Sequence, residues 1–316
     1  MNDPHHAFES VPQESTQAPI VAEIVPPPAD AGPLRIWPVW MMVVVVIAFS
    51  LQVNLVSVVL AQLAVFGSVR APDDAMILQL MESRIGFCLM LIPSQLAILI
   101  PPLVAAFASP TPWKQRLGLV RGHWPLWAWI AGGVATPLIG LVTTLVLSPF
   151  IESSEHLNQM TDVFRAQANG GFLFATLLMV GGLPAICEEV MFRGYIQTRL
   201  AQRLPAVAAV MIASVLFAVF HFDPVHVLAV LPIGLWLGYL RNASGSIFPA
   251  MLAHAINNTL SVISVMPEQT DAFDAPSALL SAGLLGLGLP CLLLAVVAGI
   301  FYAAPKAVAA DETAQC

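Results

Sequence analysis

Eight stretches of the chain, roughly 37–66, 85–108, 126–149, 171–192, 205–222, 224–240, 246–265 and 278–303, stay apolar for about the length of a bilayer crossing. Shorter polar segments with Pro, Gly and most of the charges separate them. The pattern predicts helices joined by short turns. The fifth and sixth runs are short and parted only by "FDP" at 222–224, which predicts a tight connection. Pro205 suits the first turn of a helix, and Asp223–Pro224 suits the N-cap and first position of the next. The expected fold is all-α: a polytopic membrane protein with about eight transmembrane helices, four of them forming a central core.

Composition strengthens this reading. The chain has 316 residues, 58% of them hydrophobic and 10% charged, with a mean hydropathy of +0.82. That is more apolar surface than one water-soluble core can bury, so lipid must solvate much of it. The net charge of −7 and the lack of a basic stripe exclude a nucleic-acid partner. Cys88, Cys187, Cys291 and Cys316 are scattered, with no CxxC pair, so neither a disulfide framework nor a zinc ribbon is expected. Residues 1–34, rich in Pro and acids, read as a disordered cytoplasmic tail. His5 and His6 within it read as part of a solvated tail rather than as a loose metal site.

Basic residues suggest an orientation. With the N-terminus inside, Arg35, Lys114, Arg116, Arg121, Arg193, Arg199, Arg203, Arg241 and Lys306 fall on inner segments. Only Arg70, Arg84 and Arg165 fall outside. The positive-inside rule then predicts cytoplasmic termini at both ends, in the inner membrane if the source is bacterial.

Ionisable side chains inside membrane spans cost about 2.5–3.5 kcal/mol each on insertion scales and usually mark function. The clearest case is "LPAICEEVMFRGYIQTRL", residues 183–200. Glu189 and Arg193 stand i, i+4 with the acid first, the favourable order for a helical ion pair. Glu188, about 100° round the helix, is left without a partner there. Two antiparallel helices turning near 204–205 would bring Glu188 level with His221, and Phe217 would share the histidine's face. A carboxylate beside an imidazole suits deprotonation of a water. In "MLAHAINNTL", His254 and Asn258 are i, i+4 and offer hydrogen-bond donors for an oxyanion. Asn257 lies off that stripe. Pro184 is expected to loosen its helix and admit water. Gln52, Asn54 and Gln95 read as interhelical glue.

Each feature has an ordinary alternative: an interfacial anchor, a helix cap, or helix–helix hydrogen bonding. Together and in order they resemble a family. "EEVMFR", "FAVFH" and "HAINN" match the EExxxR, FxxxH and HxxxN motifs of the CPBP family, which comprises type II CAAX prenyl endopeptidases and bacteriocin-processing (Abi) proteases. "RLGL" at 116–119 and "FRGYIQ" also look like the family. The resemblance covers roughly 113–265, which it makes a protease core between N-terminal transmembrane helices at 35–112 and a C-terminal transmembrane helix with a short tail at 266–316.

It implies an intramembrane endopeptidase in which Glu188 and His221 activate the attacking water. His254 and Asn258 would stabilise the oxyanion, with Glu189, Arg193 and Phe217 in support. A membrane-associated peptide or protein would be the substrate and the lipid bilayer the medium; oligomeric state is not encoded. No tightly held metal is expected, because a carboxylate–imidazole pair suffices as a general base. If zinc were present, His221, His254 and Glu188, with His226, would be its ligands. A non-catalytic scaffold or immunity protein of the same fold and a proton-coupled transporter stay open beside the protease, and Cys187 admits a Cys–His protease.

Overall fold

A computed structural model describes residues 36–266 and 275–302. The tail at 1–34 and the segment after 302 lie outside the described residues, as do 267–274. The described residues form eleven helices and no strand: α1 (Trp37–Phe66), α2 (Asp74–Glu82), α3 (Arg84–Phe107), α4 (Trp113–Arg116), α5 (Leu126–Leu147), α6 (Glu155–Gln167), α7 (Leu173–Ala201), α8 (Ala206–Val219), α9 (Pro224–Ser244), α10 (Phe248–Ser264) and α11 (Ala275–Phe301).

All eight apolar runs are helical, but only six reach spanning length: α1, α3, α5, α7, α9 and the Ser281–Phe301 part of α11. The runs at 205–222 and 246–265 give the shorter α8, of 14 residues, and α10, of 17. Pro205 and the Phe220–Asp223 turn trim α8 at its two ends. The left-handed Gly245 delays the start of α10, whose middle carries His254, Asn257 and Asn258. His221 therefore lies just past the end of α8 rather than within it. Asp223 does cap α9, accepting the His226 N–H at 2.8 Å. That bond, with a second from the Ser154 hydroxyl, holds the Asp223 carboxyl below its ordinary range.

Two helices outside the apolar runs begin at capping side chains. Asp73 accepts the Met76 N–H at 2.8 Å to start α2, and Ser154 accepts the Leu157 N–H at 3.2 Å to start α6. The cavity described below depends on α7, which packs against α3, α8 and α10. This helix is not uniform. It widens to π turns over Leu177–Gly182 and Val190–Gln197, on either side of an α-helical Leu183–Glu189. Such widenings re-aim side chains and recur at functional sites.

Loop contacts sort into two ends of the bundle. At one, His123 binds the Ser244 carbonyl through its N–H at 3.0 Å and Arg241 donates to Thr198 at 2.8 Å. At the other, the Gln167 amide donates to the Met81 and Glu82 carbonyls, both at 2.8 Å, and Arg165 to the Val265 carbonyl at 2.7 Å.

The first end hinges on Gly122, at φ +67, where an added Cβ would sit 2.2 Å from the Ser244 carbonyl oxygen. Gly122→Ala adds both left-handed strain and a backbone collision. It is expected to destabilise the protein by about 1–3 kcal/mol. A lower thermal unfolding midpoint in detergent would register this; an unchanged midpoint would mean that the 118–124 loop is not docked as described.

Candidate active site

Three neighbouring elements supply the motif side chains: α7, the end of α8 and α10. On α7 the two adjacent glutamates part ways, as a 100° step requires. Glu189 is fully buried, whereas Glu188 is 12% exposed and borders a cavity.

Glu189 holds Arg193 at 2.8 Å, Oε1 to Nη1, with both side chains wholly buried. Arg193 Nη2 also donates to the Gly234 carbonyl at 2.9 Å. Close approach by α9 makes this possible: a Cβ on Gly234 would lie 3.0 Å from the Phe217 ring. The same Glu189 Oε1 accepts a further hydrogen bond from His254 Nδ1 at 2.9 Å. Residues 65 apart are thereby joined, a link that the helix spacing of Glu189 and Arg193 alone did not reveal.

The tautomers follow from these partners. A carboxylate oxygen that already takes the Arg193 N–H can only accept, so His254 Nδ1 carries its proton. Its Nε2, 3.9 Å from Glu188 Oε2, can donate only when the ring is protonated. A neutral His254 would present a lone pair there instead of the donor expected above. Likewise His221 Nδ1 lies 3.1 Å from the Phe217 carbonyl, which can only accept, so His221 Nε2 bears the lone pair.

Phe217 packs all of these groups together. It is 2% exposed, and its ring centroid lies 5.2 Å from that of His221 and 5.7 Å from that of His254, both edge-to-face. The Arg193 guanidinium sits over its face at 4.3 Å. His226 stacks edge-on against His221 at 4.5 Å.

Asn258 stands on the Pro184 side of the site. Pro184 has no N–H to offer the Val180 carbonyl four residues before it, and Asn258 Nδ2 donates to that oxygen at 3.3 Å. Asn258 Oδ1 accepts from Asn257 at 3.2 Å. One Nδ2 hydrogen of Asn258 remains for another acceptor.

Glu188 and His221 line one cavity of about 320 Å³ between α1, α3, α7 and α8. Its other polar walls are Ser50 and Asn54 of α1 and Ser94 and Gln95 of α3. Of the three amides read as glue, Asn54 and Gln95 thus face the candidate base. Gln52 does not line this space. A lone amide on an apolar helix looks the same in sequence whether it meets a helix or a cavity. Cys187 is fully buried and is not among the lining residues, so no Cys–His arrangement forms at this cavity.

The residues considered for zinc do not gather. Among the described residues no three His, Cys, Asp or Glu side chains are placed to hold a metal ion. His254 and His221 each commit Nδ1 to an oxygen acceptor and keep Nε2, which leaves each ring able to ligate a metal singly, but no third ligand gathers with them among the described residues. No step below uses a zinc.

The family model described as Type II CAAX prenyl endopeptidase Rce1-like matches residues 170–260, a stretch that carries all three motifs. No curated protein and no solved structure matched the chain. The cavity therefore has one wall inside the matched stretch, bearing Glu188 and His221, and one outside it, on α1 and α3. The chain is a multi-pass membrane protein whose residues 170–260 are similar to the type II CAAX prenyl endopeptidase family.

Proposed function

We propose that the protein is an intramembrane endopeptidase that hydrolyses a peptide bond of a membrane-delivered substrate with a water activated by Glu188 and His221. The observation that carries this reading is the shared cavity: a partly exposed carboxylate and an imidazole whose Nε2 is left to accept face one space with both polar and apolar walls. In the proposed reaction Glu188 takes a proton from water as its oxygen attacks the scissile carbonyl carbon, and His221 Nε2 accepts a hydrogen bond from that water. The tetrahedral oxyanion then receives hydrogen bonds from the remaining Asn258 N–H and, when the ring carries both protons, from His254 Nε2, whose Nδ1 is held by Glu189. Return of the proton to the amide nitrogen releases the amine as the C–N bond breaks.

The family description supports a prenylated peptide as the first substrate to try. The full chain, reconstituted in phospholipid vesicles, is given a farnesylated, fluorescence-quenched peptide, and mass spectrometry locates the cut. His221→Ala is expected to lower kcat/KM by about 10²–10⁴-fold with unchanged thermal unfolding. Full activity in that variant would remove His221 from the chemistry. Partner binding without cleavage would favour the scaffold reading.

A further inference from the structure

The wall opposite Glu188 is unusual for its surroundings. Polar side chains on lipid-solvated helices are costly and need partners. Yet Gln95 Oε1 and Ser50 Oγ are buried and have no hydrogen-bond partner among the described residues. Both border the cavity beside Asn54 and Ser94. The other side of the same space holds Glu188 and His221. Two amides and two hydroxyls offer donors and acceptors in the combination that a peptide main chain presents. A helical substrate could not use them, because its own N–H and C=O groups are bonded to one another.

We infer that Gln95 and Asn54, with Ser50 and Ser94, bind the main chain of the substrate in an extended conformation and position its scissile bond against Glu188. This rests on the protease reading and deepens it. The substrate class is an unwound or terminal peptide segment recognised by its backbone, not a stable transmembrane helix. Recognition through the backbone tolerates many side chains. Sequence selection would then fall to the apolar surroundings. These positioning residues lie on α1 and α3, outside the stretch that matches the family.

The test pairs a residue with a substrate atom. Once the cut is located, the amides flanking the scissile bond of the farnesylated peptide are replaced, one at a time, by esters, which removes an N–H donor. One replacement is expected to lower kcat/KM of the wild-type protein about tenfold, the scale of a lost hydrogen bond to an unpaired acceptor. Gln95→Leu should lose a similar factor on the amide substrate and then cut amide and ester equally. A merely structural role would lower both rates and leave their ratio as in wild type. If Gln95→Leu does not accumulate, Gln95→Met, closer in length and flexibility, is read in the same way.

Glu188-dependent cleavage with an unchanged amide-to-ester ratio overturns the backbone-binding wall and spares the protease reading. Cleavage that survives Glu188→Gln overturns both. A lactam bridge that locks the peptide as a helix should reduce cleavage more than about a hundredfold; cleavage at the unlocked rate would overturn the extended conformation.

Discussion

Arg193→Met is expected to cost about 3–5 kcal/mol of stability, enough to deplete the folded protein, because it strands a buried carboxylate. Glu189 is wholly inaccessible, and among the described residues Arg193 is the only permanently charged group bonded to it. Without the guanidinium, Glu189 must either take up a proton or stay ionised in an apolar interior, with His254 as its remaining hydrogen-bond partner among the described residues. The Gly234 carbonyl would also lose a side-chain donor, keeping the Ser214 hydroxyl at 2.9 Å. Met fills much of the lost volume, so a cavity contributes little. Chemical unfolding in detergent reads the effect directly. The double variant Glu189→Gln/Arg193→Met removes both charges and should recover a large part of the loss, as expected for two groups coupled to each other. A single variant within about 1 kcal/mol of wild type would show that the pair adds nothing to the core.

This pair also shows which features were readable before the structure. A spacing of four residues and the order acid-then-base announce an intrahelical ion pair, because a helix's own geometry brings the groups together. The apolar runs were readable for a similar reason: lipid imposes a length and forbids stray backbone polarity. The ends of α8 and α10 were less so. There, turn chemistry at Pro205, Asp223 and Gly245 decides how much of an apolar run stays helical. The bond between Glu189 and His254 spans 65 positions, and nothing local encodes it. It depends on how α7 and α10 pack. Asn54 and Gln95 were misread for a different reason. Whether an intramembrane amide faces a neighbouring helix or a cavity depends on its direction, and that is set by the packing of α1 and α3 against α7 and α8.

Glu188→Gln is expected to lower kcat/KM by about 10³–10⁴-fold while leaving the fold intact, whereas Glu189→Gln is expected to lower stability and, with it, activity. The two residues are adjacent and chemically identical, so their difference must come from surroundings. Among the described residues Glu188 has no ion-pair partner within hydrogen-bond range; His254 Nε2 lies 3.9 Å away, and the Glu188 carboxylate meets the cavity. The amide that replaces it is nearly the same shape but cannot take a proton from water. Unfolding should therefore stay at or slightly above the wild-type midpoint, since one partly buried charge is gone. Glu189→Gln instead leaves Arg193 charged and buried, so stability falls. It also removes the carboxylate that holds His254 Nδ1, so activity falls through the oxyanion side rather than the base. Kinetics and unfolding measured on both variants separate these cases. If Glu188→Gln unfolds the protein, or if Glu189→Gln alone abolishes turnover without destabilising it, the roles of base and support must be exchanged.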